Sequence, residues 1–101
     1  MSKTSSRAER EHMGKIAGMA CVVCHLMGRT QESRTEVHHL REGVGMSQRQ
    51  SNFLTIPLCV DDHRGANGIH GDKSYMHTLK VDELGLLAVT IELLADEREF
   101  S

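Results

Sequence analysis

Residues 34 to 45 read RTEVHHLREGVG, and the adjacent histidines His38 and His39 close a short β-favouring run. In a strand, neighbouring side chains point to opposite faces, so the two imidazoles are expected to serve different environments. Imidazole binds borderline metal ions and also takes a proton near neutral pH. A second set of metal-prone residues lies nearby: Cys21 and Cys24 are spaced Cys-x2-Cys, and Cys59 stands alone further along. The close pair lets two thiolates converge on one ion, and Cys59 supplies a third. Structural zinc takes four ligands. The fourth is expected from CVDDH, as Asp62 at the Cys-x2-Asp position or His63 at Cys-x3-His, with His25 directly after Cys24 as a further candidate. Free cysteines packed as small hydrophobes are the bland alternative, which the spacing outweighs.

Regular elements must hold these groups. From Ser6 to about Met19 the spacing predicts a helix, with Met13, Ile16, Ala17 and Ala20 near one face. CVVCHLMG reads as a tight two-cysteine turn closed by Gly28. Residues 35–40 and 53–58 (FLTIPL) are the strand candidates, and Pro57 suits an edge position. The glycine-rich REGVGMSQRQSN joins them. After Cys59, VDDHRGANGIHG begins as a helix that GANG should interrupt. Asp72 caps a short helix running through Leu79. Asp82 opens the clearest helix, whose Leu84, Leu87, Ala88, Ile91, Leu94 and Ala95 form a stripe read as core packing. The chain is expected to be one domain over 1–101: an N-terminal helix at 1–20, a core with the zinc knuckle at 21–79, and a C-terminal helix at 80–101.

Composition bounds what such a chain can do. Its 101 residues include no Trp, one Tyr (Tyr75) and two Phe (Phe53 and Phe100), so few large side chains exist to fill a core. Small scaffolds of this kind are commonly stapled by disulfides or metal. Three cysteines cannot all pair with one another, the N-terminal MSKTSSRAER is polar, and no run reaches the 18 or so apolar residues of a membrane span. Thiolates serving a metal in a reducing cytoplasm are therefore expected. Residues 82–101 hold six acidic side chains against Arg98, a net of −5, which leaves +3 on residues 1–81 out of the chain total of −2. A mildly basic body facing phosphates is permitted by this distribution.

The order VHHL, a glycine-rich loop, SNFLTIPLC and then DDHRGANGIHGDK resembles the HNH, or ββα-metal, nuclease family. It is similar in particular to small phage and prophage HNH proteins such as the RecA-dependent recombination nucleases. The resemblance covers residues 21 to about 79. It implies an α+β fold, a small zinc-stapled ββα-metal core with flanking N- and C-terminal helices. It also assigns roles: His38 a ligand of a catalytic divalent metal (Mg, Mn, Ni or Zn), His39 the general base, Asn52 the residue that positions the base, and His63 and His70 further metal ligands. Asp62 stands where the family more usually has Cys, and GANG lengthens the interval between His63 and His70. DNA is the implied partner, with a recombination protein as a second.

The chemistry agrees with these roles. Phosphodiester hydrolysis needs an attacking water, an acceptor for its proton, and positive charge near the phosphate and the leaving oxygen. Strand alternation lets His38 face a metal while His39 faces the water. His12 and His77, in charged helical stretches, are expected to be ordinary polar residues. With few aromatics for base stacking, DNA binding is expected to rest on phosphate contacts by Arg41, Arg49, Arg64 and Lys73 and to be salt-sensitive. A zinc-stapled binding module without catalysis would use the same cysteines but have no need of His39. A zinc deaminase would need His-x-Glu and Pro-Cys-x2-Cys, and neither is present. A protein-protein adaptor leaves the histidines unexplained.

Overall fold

Ser6 starts the first helix, α1 (Arg7–Ala17), by a reciprocal cap. Its hydroxyl accepts from the Glu9 backbone N–H at 3.1 Å, and the Glu9 carboxylate accepts from the Ser6 N–H at 2.7 Å. The computed structural model describes residues 5–41, 51–66, 68–71 and 74–100. In it α1 buries Ile16, with Met13 half-buried and Met19 buried just past its end. Ala17 and Ala20 are exposed instead of sharing that face, because the Met13–Ile16–Met19 row makes the contact. The Cys-x2-Cys segment is the first turn of a second helix, α2 (Val22–Met27), rather than a bare turn. Cys21 is its N-cap, its sulfur accepting from the Cys24 N–H at 3.4 Å. Gly28 closes α2 at φ 66°, a left-handed conformation that side chains rarely adopt.

Strands β1 (Thr35–His39) and β2 (Thr55–Cys59) pair antiparallel as a two-stranded sheet, placing His38 opposite Ile56 and His39 opposite Thr55. β2 is buried along its whole length: Ile56, Pro57, Leu58 and Cys59 form an apolar run, and the Thr55 hydroxyl donates to the Asn52 carbonyl at 3.1 Å. Pro57 cannot donate to a ladder on its far side, and among the described residues no third strand lies there. Helices α3 (Val60–Arg64), α4 (Ser74–Leu79) and α5 (Glu83–Phe100) complete a small α+β arrangement. α2, α3 and α5 pack on β2, and α1 lies against both strands. The core joins Val22 and Val23 of α2, Ile56 and Leu58 of β2, and Leu86 of α5, all fully buried.

Two departures from the sequence reading bear on the site. GANG does end α3, but the chain then folds back along it. Ile69 N–H donates to the Asp62 carbonyl at 2.8 Å and His70 N–H to the His63 carbonyl at 3.1 Å. A Cβ on Gly68 would come within 2.8 Å of the Asp61 and Asp62 carbonyl oxygens, so only glycine permits this return. The stripe on α5 is also corrected. Leu84 and Ile91 are 54% and 56% exposed, and Ala88 and Ala95 are exposed too. The buried face is Glu83, Leu86, Leu87 and Thr90. Two of those four are polar, each with an internal partner: Thr90 donates to the Leu86 carbonyl at 2.9 Å, and Glu83 serves β1. Leu87 of the expected stripe is buried and Leu94 half-buried, so the stripe overlaps the buried face only in part. Asp82 does cap α5, accepting from the Gly85 N–H at 2.8 Å, and α4 ends at Leu79 as expected. The proposed cap Asp72 lies outside the described residues. No helix among the described residues is long and apolar enough to cross a membrane.

Candidate metal centres and a paired histidine

The start of α2 and the junction of β2 with α3 bring four side chains to one point. Oδ2 of Asp62 lies 3.2 Å from Sγ of Cys21, 3.4 Å from that of Cys24 and 3.2 Å from that of Cys59, and the Cys24 and Cys59 sulfurs are 3.9 Å apart. All four residues are buried. A tetrahedral ion with sulfur ligands at about 2.3 Å needs donors spaced in this way. Burial pushes the Cys21 thiol up to about 11 and the Cys24 thiol further, the neighbouring cysteines adding to the effect. Burial also acts to raise Asp62, but the Arg29 guanidinium, 3.0 Å away, and the three thiols hold its carboxyl below the usual range. Arg29 supplies part of the positive charge that the anionic forms of this set require, and a bound dication would supply the rest. Of the three candidates for the fourth position, Asp62 is the residue brought there. His63 belongs to another cluster, and His25 is exposed.

That other cluster comprises His38, His63 and His70, whose donor atoms lie within 4.8 Å of one another. Nε2 of His63 and Nε2 of His70 are 3.2 Å apart, and the His38 ring stands edge-on to both. Two carboxylates grip the far nitrogens. Oε2 of Glu83 is 2.6 Å from Nε2 of His38, and Oε1 of Glu36 is 2.9 Å from Nδ1 of His63. With those nitrogens donating, His38 has Nδ1 and His63 has Nε2 to offer a cation. Carboxylates commonly hold metal-binding imidazoles in this way. His38 is buried, and desolvation lowers its pKa, so the neutral, ligating form is favoured despite Glu83. The Arg64 guanidinium and His63 hold the Glu36 carboxyl down to about 2, keeping it an acceptor. The donors fit a divalent transition ion.

His39 is turned away from this cluster. Its Nε2 meets Oδ1 of Asn52 at 2.8 Å, and Nδ2 of Asn52 donates in turn to Oε2 of Glu9 at 2.9 Å and to the Ser5 hydroxyl at 3.4 Å. The doublet therefore divides as strand alternation requires. Arg41 is exposed, with Nη1 3.4 Å from Nδ1 of His70. Arg64 is exposed but engaged with Glu36 at 2.6 and 3.0 Å. Arg49 and Lys73 lie outside the described residues. The His12 ring lies 5.3 Å from that of Phe53 and tilted by 51° to it, and His77 is exposed on α4.

Four site residues escaped the sequence reading: Glu83, Glu36, Arg29 and Glu9. Each acts through another side chain, and most lie far from it in sequence. Glu83 opens α5 beside Asp82, where an acidic first turn is ordinary, so the sequence carried no signal of its role. A family model described as "Recombination enhancement, RecA-dependent nuclease" matches residues 5–95. No curated protein and no solved structure gives a significant match.

Proposed function

Because the chain belongs to the family of RecA-dependent nucleases of recombination enhancement, we propose that it is an HNH endonuclease with a ββα-metal core. It hydrolyses DNA phosphodiester bonds one strand at a time. The observation that carries this reading is the division of the doublet, His38 among three imidazoles and His39 against Asn52. A binding module would have no use for a second, separately oriented histidine.

His38, His63 and His70 would hold a divalent ion, which when bound would supply positive charge near the scissile phosphate and the leaving oxygen. The protein's own groups do the rest. His39, its Nε2 proton held on Asn52, accepts the proton of the attacking water at Nδ1. Glu83 and Glu36 keep His38 and His63 in their ligating forms. Arg41, Arg49 and Lys73 meet the DNA phosphates, while Arg64 is committed first to Glu36. Cys21, Cys24, Cys59 and Asp62 would hold a structural zinc, with Arg29 offsetting part of the negative charge of the four ligands. A recombination protein of the RecA type is the partner that the family description implies.

Incubation of the purified protein with supercoiled plasmid and a series of divalent metals tests the reading. Conversion to the open-circular form is expected with the parent protein and not with His39→Ala. A parent protein that nicks under no metal, yet binds DNA, would establish the binding module instead.

A further inference from the structure

The Asn52 side chain stands between two groups of different hydrogen-bonding capacity. On one side is the Glu9 carboxylate, which only accepts; on the other is Nε2 of His39, which donates or accepts according to its tautomer. Glu9 therefore dictates that Nδ2 of Asn52 turns toward it. Oδ1 must then face His39, so Nε2 of His39 must carry the proton, and Nδ1 is left with the lone pair. Glu9 itself is held by the helix cap, its other oxygen accepting from Ser6 N–H at 2.7 Å. We infer that Glu9, at the start of α1, is a positioning residue for the base: by fixing the Asn52 amide it selects the His39 tautomer able to take a proton at Nδ1. This rests on the reading of His39 as the base. It gives α1, outside the two metal clusters, a part in the chemistry.

Glu9→Gln isolates the effect, since glutamine serves the same helix cap. The oxygen of the new side chain keeps the Ser6 N–H, and its amide nitrogen faces Asn52. Asn52 must then present Oδ1 to that amide and Nδ2 to His39, which drives the proton onto Nδ1. The ring is no longer a base at that atom. The double variant Glu9→Gln/Asn52→Asp restores the pattern, because the carboxylate introduced by the second substitution accepts both from the new amide and from Nε2–H of His39.

The tautomer is read directly from the ring ¹⁵N shifts of His39 in the zinc-loaded protein, at a pH where the ring is neutral, with His39→Gln assigning the signal. The parent should show Nε2–H, Glu9→Gln should show Nδ1–H, and the double variant should return to Nε2–H. Nicking should fall by a factor on the order of 10² or more in Glu9→Gln, as for loss of a general base, with DNA affinity unchanged, and recover in the double variant. An unswitched tautomer in Glu9→Gln overturns the inference and leaves His39 as base untouched. A switched tautomer with full nicking overturns both. A fall in nicking that the double variant does not recover, with zinc content and fold intact, also refutes the positioning role.

Discussion

The carboxylate of Glu83, at the first turn of α5, lies 2.6 Å from Nε2 of His38 on β1, and its second oxygen accepts from the Arg41 backbone N–H at 2.8 Å. One side chain thus fixes both the ring and the strand end that presents it. Glu83→Gln keeps the shape, its oxygen staying on the Arg41 N–H, and so offers His38 a donor where an acceptor stood, forcing the His38 proton onto the nitrogen that would hold the cation. Catalytic-metal affinity, measured by titration of the zinc-loaded protein, is expected to fall about 10- to 100-fold, the usual cost of losing such a partner. High metal concentration should recover nicking.

The doublet should break in two ways. His39→Ala should lose a factor on the order of 10² to 10⁴ in nicking rate while keeping zinc, fold and DNA affinity. Added metal should not relieve it. His38→Ala should weaken the catalytic metal, and raising the metal concentration should relieve part of its defect. Equal rescue of both variants would refute the separate roles.

A first shell of imidazoles suits borderline ions. Plasmid nicking is expected to run with Mn²⁺ or Ni²⁺ at least as well as with Mg²⁺. Strict dependence on magnesium would mean that carboxylates, not His38, His63 and His70, dominate the site.

Protein purified without chelator should hold about one zinc per chain by elemental analysis, and Cys24→Ser should lose it together with the fold, since structural zinc sites contribute folding energy. The thiols set the pH dependence. Burial holds Cys21 near 11 and Cys24 higher, so both are protonated at neutral pH without the ion, while Asp62 is already ionised. Zinc binding should release about two protons or more, and affinity should rise with pH by at least that slope in logarithmic units. Chelator competition across pH 6 to 8, roughly the range where thiol titration governs affinity, measures it.

The exposed row of α5 gives a test of the corrected helix face. Leu86→Ala, at a fully buried position, is expected to cost about 2–5 kcal/mol in denaturant unfolding. Ile91→Ser, on the exposed face, should stay within about 0.5 kcal/mol of the parent.

Much of this architecture was legible from local chemistry. The Cys-x2-Cys pair, the strand alternation at His38 and His39, and the Asp82 cap each depend on neighbours within a few residues. What escaped depends on distant partners. Glu83 is buried with its carboxylate on His38, 45 residues away, a partnership that no local spacing marks, and the face it shares with Leu86 leaves Leu84 and Ile91 outward. The GANG break likewise suggested lost helix. Its effect, returning His70 to His63, depends on backbone pairing that no periodicity records.

Asp62 and His63 are consecutive residues of a five-residue helix, one facing the sulfurs and the other the imidazoles. On the proposed reading the two metal sites share this one short helix. Loss of the sulfur-bound ion is then expected to shift His63 and, through its backbone pairing, His70 as well.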